Sequence, residues 1–160
     1  MDRLWSPWRS EYIASAGGDR TACIFCKLRD EPDKDKSNFV LHRASNNFVV
    51  LNLYPYISGH LLIVPYEHIG ELDAAAKATT DELMDLTKHC QTALREVYRP
   101  DGFNVGMNLG STAGAGIADH IHIHILPRWT GDTNFMTSVG ATRVLSEELA
   151  TTYQKLRAKF

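Results

Sequence analysis

The sequence predicts an α+β domain built on an antiparallel sheet. Two observations predict it. Five short stretches are rich in β-branched or aromatic residues and bounded by turn formers. One long helical stretch interrupts them, and a second helical stretch follows the last.

The elements follow in order. Met1–Gly18 is an aromatic, Arg-bearing arm with Trp5, Trp8, Tyr12, Arg3 and Arg9. Cys23-Ile24-Phe25-Cys26 comes next, then a charged loop from Arg29 to Asn38 with one proline. The expected strands are Phe39–His42, Phe48–Leu53, His60–Pro65, Phe103–Leu109 and His120–Leu126. Asn46-Asn47 suits a tight turn between the first two, and Tyr54–Gly59 a loop into the third. Glu71–Ala78 suits a short helix. The long helix is expected over Thr80–Tyr98, where Leu83, Leu86, Cys90, Leu94 and Val97 share one face. Thr79 with Glu82 suits a capping box at its start, and Pro100 follows its end. A last helix is expected from Ser146 to about Ala158, with Leu149, Tyr153 and Leu156 on one side.

The 160 residues, 44% hydrophobic, suit a single domain over 1–160. It divides into the arm 1–18, a Cys-bearing segment and loop 19–38, and a core 39–160. A net charge of −2 argues against a nucleic-acid partner, which favours a basic surplus. No apolar run approaches the ~20 residues that span a bilayer, and the N-terminus has no apolar signal segment. A cytoplasmic protein with no membrane partner is expected, and its three cysteines read as reduced.

His120, His122 and His124 alternate with Ile121, Ile123 and Ile125. In a strand they line one face, and the isoleucines face a helix. Alternate positions lie roughly 7 Å apart at ~3.3 Å per residue, so one or two rings reach any single reacting atom. The others orient it, bind a metal or hold a neighbour. A neutral imidazole can act as nucleophile, acid or base near pH 7. A polar face on an edge strand and a three-His metal site are the rival readings. The preceding loop, Asn108 to Gly116, holds Gly110, Gly114 and Gly116 with Ser111 and Thr112. Placed before a histidine face, it suggests a phosphate cradle; by itself it is a hairpin loop.

Cys23 and Cys26 have three readings: a redox pair, two free thiols, or half of a four-ligand zinc site. The redox reading lacks its βαβ context, and zinc is preferred. Cys90 lies on the apolar face of the long helix and reads as core.

His120-Ile121-His122-Ile123-His124-Ile125-Leu126, followed by Pro127-Arg128, resembles the histidine-triad (HIT) family pattern. The resemblance extends over nearly the whole chain. It includes Asn52 eight residues before His60, Val64-Pro65-x-x-His68, and the stretch Gly102 to Gly110. Within the family the chain looks most like the bacterial diadenosine tetraphosphate phosphorylase branch. The resemblance implies a HIT-like fold, with a five-stranded antiparallel sheet, one long helix, a C-terminal helix and an N-terminal zinc knuckle. It implies cleavage of a dinucleoside polyphosphate through a covalent nucleotidyl-histidine, with phosphate or water as acceptor. His122 would be the nucleophile, His124 would bind or protonate phosphate oxygens, and His60 is the additional catalytic histidine.

Asn52 falls where the family contacts the ribose; as a residue it equally suits a turn at a strand end. Asn108, Ser111, Thr112, Gly114 and Gly116 would complete substrate binding. One structural zinc per chain would be held by Cys23, Cys26, His68 and His120. A homodimer is implied as well. The chain departs from the family at Gly114-Ala115-Gly116, where relatives carry a side-chain donor; Ser111, Thr112 or backbone N–H groups would have to replace it. Asp119 would face away from the histidines, and Trp129–Met136 would close one side of the site, with Trp129 against nucleotide or partner chain. Trp5 and Trp8 suit core, interface or base stacking. A phosphoramidate or adenylyl hydrolase, a zinc-stabilised binding module and a metal-storage face are the rival functions.

Overall fold

The computed structural model describes residues 23–140 and 144–160. The aromatic arm, with Trp5 and Trp8, lies outside the described residues. Five strands form one antiparallel sheet in the order β1-β2-β3-β5-β4: β1 Val40–Arg43, β2 Asn47–Leu51, β3 Leu61–Pro65, β4 Gly102–Gly106 and β5 Ile123–Arg128. Helices α1 (Ile24–Asp30), α2 (Lys77–Tyr98), α3 (Phe135–Gly140) and α4 (Leu149–Arg157) accompany them.

The sheet is buried on both faces. Leu41, Val49, Leu51, Leu61, Ile63, Ile123 and Ile125 pack against Leu83, Leu86, Cys90 and Leu94 of α2 and Tyr153 and Leu156 of α4. Val40, Phe48, Val50, Leu62 and Val64 pack against Phe25 and Leu28 of α1. Ile123 and Ile125 therefore face the long helix, as expected, and Cys90 is core. No helix among the described residues is long and apolar enough to cross a membrane.

Several expectations are corrected. The fifth strand begins at Ile123 rather than His120. Its register pairs Leu61 with Ile125 and Ile63 with Ile123, which would next set Pro65 opposite Ile121. Proline has no N–H to continue the ladder. The Pro65 carbonyl meets the His120 ring instead, at 2.9 Å, and the Ile121 N–H donates to Ile69 O. The fourth strand stops at Gly106, which pairs with His124. Beyond it β5 offers almost no further partner.

The long helix starts at Lys77 with Ala76 as its cap and no side-chain capping bond. Glu82 does not close a capping box. Its carboxylate accepts from the Ser45 and Asn46 N–H groups and from Asn47 Nδ2, at 3.0, 2.7 and 2.8 Å. It thereby holds the β1–β2 turn, which spans Ala44 to Asn46, with Asn47 already in β2. Burial works against this carboxylate, but those hydrogen bonds together hold its pKa below the usual range. The expected helix at Glu71–Ala78 is a single 3-10 turn, Leu72–Ala74. The last helix begins at Leu149, with Glu148 as its extended cap, and the Glu147 carboxylate just before it accepts from the Tyr98 and Thr152 hydroxyls. Helices α1 and α3 were not expected.

Candidate functional site

Strand parity positions the histidines. His124 lies opposite Leu62 on one side and Gly106 on the other, and Leu62 belongs to the cluster under α1. The histidine face is thus the face that carries α1. Phe25 of that helix meets both the His120 and His122 rings, with centroids 5.3 and 4.9 Å apart. The 0% exposure of His120 and 7% of His122 follow.

Four donors gather at the N-terminus of α1. Cys23, at the helix cap, and Cys26, in its first turn, bring two thiols to one point. The ligand atoms of Cys23, Cys26, His68 and His120 all lie within 4.8 Å of one another and could hold a metal ion. Cys23 Sγ is 3.3 Å and Cys26 Sγ 3.7 Å from His120 Nδ1. Cys26 Sγ is 3.2 Å from His68 Nδ1, and the two Nδ1 atoms are 3.2 Å apart. A carbonyl only accepts, so the contact with Pro65 O puts the His120 proton on Nε2 and leaves Nδ1 a free lone pair. Gly70 lets this region close up: a Cβ there would come within 3.1 Å of Ala118 O.

His122 is oriented by the backbone of its neighbour. Its Nδ1 donates to His120 O at 3.0 Å, so Nε2 holds the lone pair. The His124 ring lies 4.8 Å away, centroid to centroid. His60, just before β3, places Nε2 2.9 Å from His124 Nδ1. Its own Nδ1 faces the Tyr56 N–H at 3.2 Å and Asn52 Nδ2 at 3.3 Å. Beside His124 opens a cleft of about 270 Å³, lined by Tyr56, Gly106, Asn108 and Leu126 among others.

Burial disfavours charge on the His60, His120, His122 and His124 rings. It takes His60 down to about 3, helped by the fields of His124 and His122, and His124 to about 4, helped by His122. His122 is lowered by burial, against the opposing hydrogen bond to His120 O. His60, His120, His122 and His124 are therefore neutral imidazoles at pH 7.

The glycine loop is only partly at the site. Asn108 lines the cleft, and its Nδ2 lies 3.5 Å from Gly114 O. Ser111 and Thr112 form an exposed 3-10 turn that ends at Gly114, whose φ of 90° suits glycine. Gly116 is exposed as well. Trp129 packs edge-on to Tyr98 and donates to Tyr98 O, so it closes on the end of α2. Sequence reasoning missed Phe25, the Pro65 carbonyl and the Tyr56 N–H. Phe25 stood between the two cysteines; the other two are backbone groups and leave no side-chain signal.

The HIT domain family matches residues 33–131. The chain is 38% identical, over its whole length and 85% of the relative's, to AP-4-A phosphorylase of Mycobacterium tuberculosis. It is 26% identical to adenosine 5′-monophosphoramidase of Saccharomyces cerevisiae, over 86% of this chain and 82% of that one. Among solved structures, a zinc-bound histidine triad family protein from Mycobacterium smegmatis superposes with a TM-score of 0.70 at 26% identity, covering 86% of this chain and 92% of that chain.

Proposed function

The chain belongs to the HIT domain family and is similar to nucleotide-processing enzymes; from that premise we propose that it cleaves dinucleoside polyphosphates of the diadenosine tetraphosphate kind by phosphorolysis. The observation that carries this reading is His122, whose Nδ1–H is held by the His120 carbonyl while Nε2 keeps a lone pair beside His124. The M. tuberculosis relative supports phosphate as acceptor.

In the first step His122 Nε2 attacks an α-phosphorus. The N–P bond forms as the P–O bond to the rest of the polyphosphate breaks, and that oxygen leaves with the electron pair as ATP. In the second step an oxygen of inorganic phosphate attacks the same phosphorus, the N–P bond breaks, and ADP departs. Splitting one displacement into two lowers each barrier. His124 faces the cleft and binds phosphate oxygens; Asn108 contributes a neutral donor there.

The Cys23, Cys26, His68 and His120 set fits zinc. Tetrahedral N₂S₂ zinc places its ligand atoms roughly 3.3–3.8 Å apart, from bond lengths of about 2.0 and 2.3 Å; the distances from His120 Nδ1 to Cys23, Cys26 and His68 and from Cys26 to His68 run from 3.2 to 3.7 Å, and all four ligand atoms lie within 4.8 Å of one another. Bound there, zinc would be structural, with four protein ligands and no open position. A homodimer and a cytoplasmic setting complete the proposal. Edge strand β4, with Val105 46% exposed, offers a surface that a second copy would cover.

The test is incubation with diadenosine tetraphosphate with and without inorganic phosphate. ADP that forms only with phosphate is expected. AMP and ATP in phosphate-free buffer would replace phosphorolysis by hydrolysis. His122→Ala should lower turnover at least about 10³-fold; full activity in that variant would overturn the mechanism.

A further inference from the structure

We infer that His60 is a positioning residue rather than a proton carrier: with Asn52 and the Tyr56 N–H behind it, it fixes on which nitrogen His124 carries its proton. The kinetic part of this inference rests on the proposed reaction; the structural part does not.

The chain of assignments starts at a group that can only donate. The Tyr54 N–H lies 2.9 Å from Asn52 Oδ1, which settles the amide orientation and turns Nδ2 toward His60. Asn52 Nδ2 and the Tyr56 N–H then converge on His60 Nδ1, at 3.3 and 3.2 Å. Two donors at one ring nitrogen require a lone pair there, so the His60 proton sits on Nε2. That N–H points at His124 Nδ1, 2.9 Å away, and makes it an acceptor. The one remaining place for the proton of neutral His124 is Nε2. His60 is 1% exposed, so water has little room to substitute for a missing partner.

Two consequences follow. His124 presents an N–H, not a lone pair, as its free polar group, which suits an anionic phosphate oxygen and not competition with His122 as nucleophile. His60 has both nitrogens engaged, one with two donors and one with an acceptor, so it has no site at which to take up a proton during the reaction. Burial keeps both rings neutral near pH 7, which leaves the tautomer as the variable that matters. Asn52 acts through His60, and its side chain has a task that the turn alone does not require.

The experiment has two arms. Long-range ¹H–¹⁵N spectra of histidine-labelled protein at pH 7 read the tautomers directly. Both His60 and His124 are expected with the proton on Nε2, and a His124 proton on Nδ1 would overturn the inference. The second arm compares His60→Gln with His60→Leu. Gln offers an N–H near the place of the lost Nε2 but cannot titrate, so kcat should stay within about threefold of wild type, against a loss of about 10- to 100-fold in His60→Leu. Equal loss in both variants, each retaining its folded spectrum, would make His60 an acid or base and end the proposal. If His60→Leu does not fold, the wild-type spectrum and His60→Gln still decide. If the proposed reaction is wrong, the wild type itself does not turn over, while the tautomer measurement stands unaffected.

Discussion

His120 and His124 stand four residues apart on one run, and each meets a second histidine from elsewhere in the chain. The two meetings differ in kind. His120 meets His68 through Nδ1 and Nδ1 at 3.2 Å, with two thiols at the same point. His124 meets His60 through Nδ1 and Nε2 at 2.9 Å. The first is a convergence of lone pairs, which a cation satisfies better than a proton. The second is a directed hydrogen bond within a chain of donors. The residue type is the same; what assigns the job is the partner of the other ring nitrogen. For His120 that partner is Pro65 O, and for His60 it is the Tyr56 N–H. His122, between them, takes its orientation from the backbone of the metal-type end and lies beside the ring of the hydrogen-bonded end.

The comparison breaks most severely when the thiols are removed. Cys23→Ser combined with Cys26→Ser should abolish metal content, one zinc per chain in the wild type by elemental analysis. It should lower stability by about 4 kcal/mol at a free zinc concentration a thousandfold above Kd, read by thermal denaturation. Equal stability with and without metal would leave both ends as ordinary buried polar clusters.

Acid acts on the other end, and the metal-free double variant removes the zinc from the reading; His42, His120 and His122, which burial also holds below the usual value, add to the loss with the same sign. The folded-state pKa values of His60 and His124, about 3 and about 4, lie below the ordinary 6.5. The unfolded chain therefore binds more protons between those values and 6.5, and stability rises with pH across that window. It is fully present above 6.5 and is lost progressively as pH falls toward 4 and then 3. Between pH 7 and pH 5.5 the loss should be about 2 kcal/mol for the pair, measured by urea denaturation. A flat profile there would contradict neutral, hydrogen-bonded rings.

The smallest effect sharpens the comparison by touching both sides of the junction. Phe25 packs on His120 and His122. Phe25→Leu keeps the site apolar, so it should cost about 1 kcal/mol. Turnover of this variant should fall more than its zinc content, which stays at one per chain. Loss of zinc with unchanged turnover would assign Phe25 to the metal end alone.

Much of this was legible in the chain. The alternation of histidine with isoleucine predicted the two faces of β5, and Ile123 and Ile125 do meet α2. The helical spacing of Leu83, Leu86, Cys90 and Leu94 predicted the core face of α2. The cysteine pair, His68 and His120 were grouped through the family resemblance, and they converge. Strand ends were less legible, because they depend on partners. β5 starts late because the residue opposite it is a proline, and β4 stops early because β5 starts late. The spacing of Thr79 and Glu82 predicts a capping box within the helix; the carboxylate instead reaches a turn about 36 positions away in sequence, where three donors outcompete one.

By itself the sequence determined which residue types stand where: three histidines with alternating spacing, two cysteines three positions apart, and apolar stripes that fix which faces go inward. These are local facts, since side-chain direction along a strand or helix follows from backbone period alone. Only the tertiary structure decided what each imidazole nitrogen meets. Those partners are the carbonyls of Pro65 and His120, the Tyr56 N–H and the Asn52 amide. Backbone groups are the same at every residue, so nothing in the sequence marks which of them will lie within 3 Å or so of a ring; packing alone selects them, and with them the tautomer and the work of each histidine.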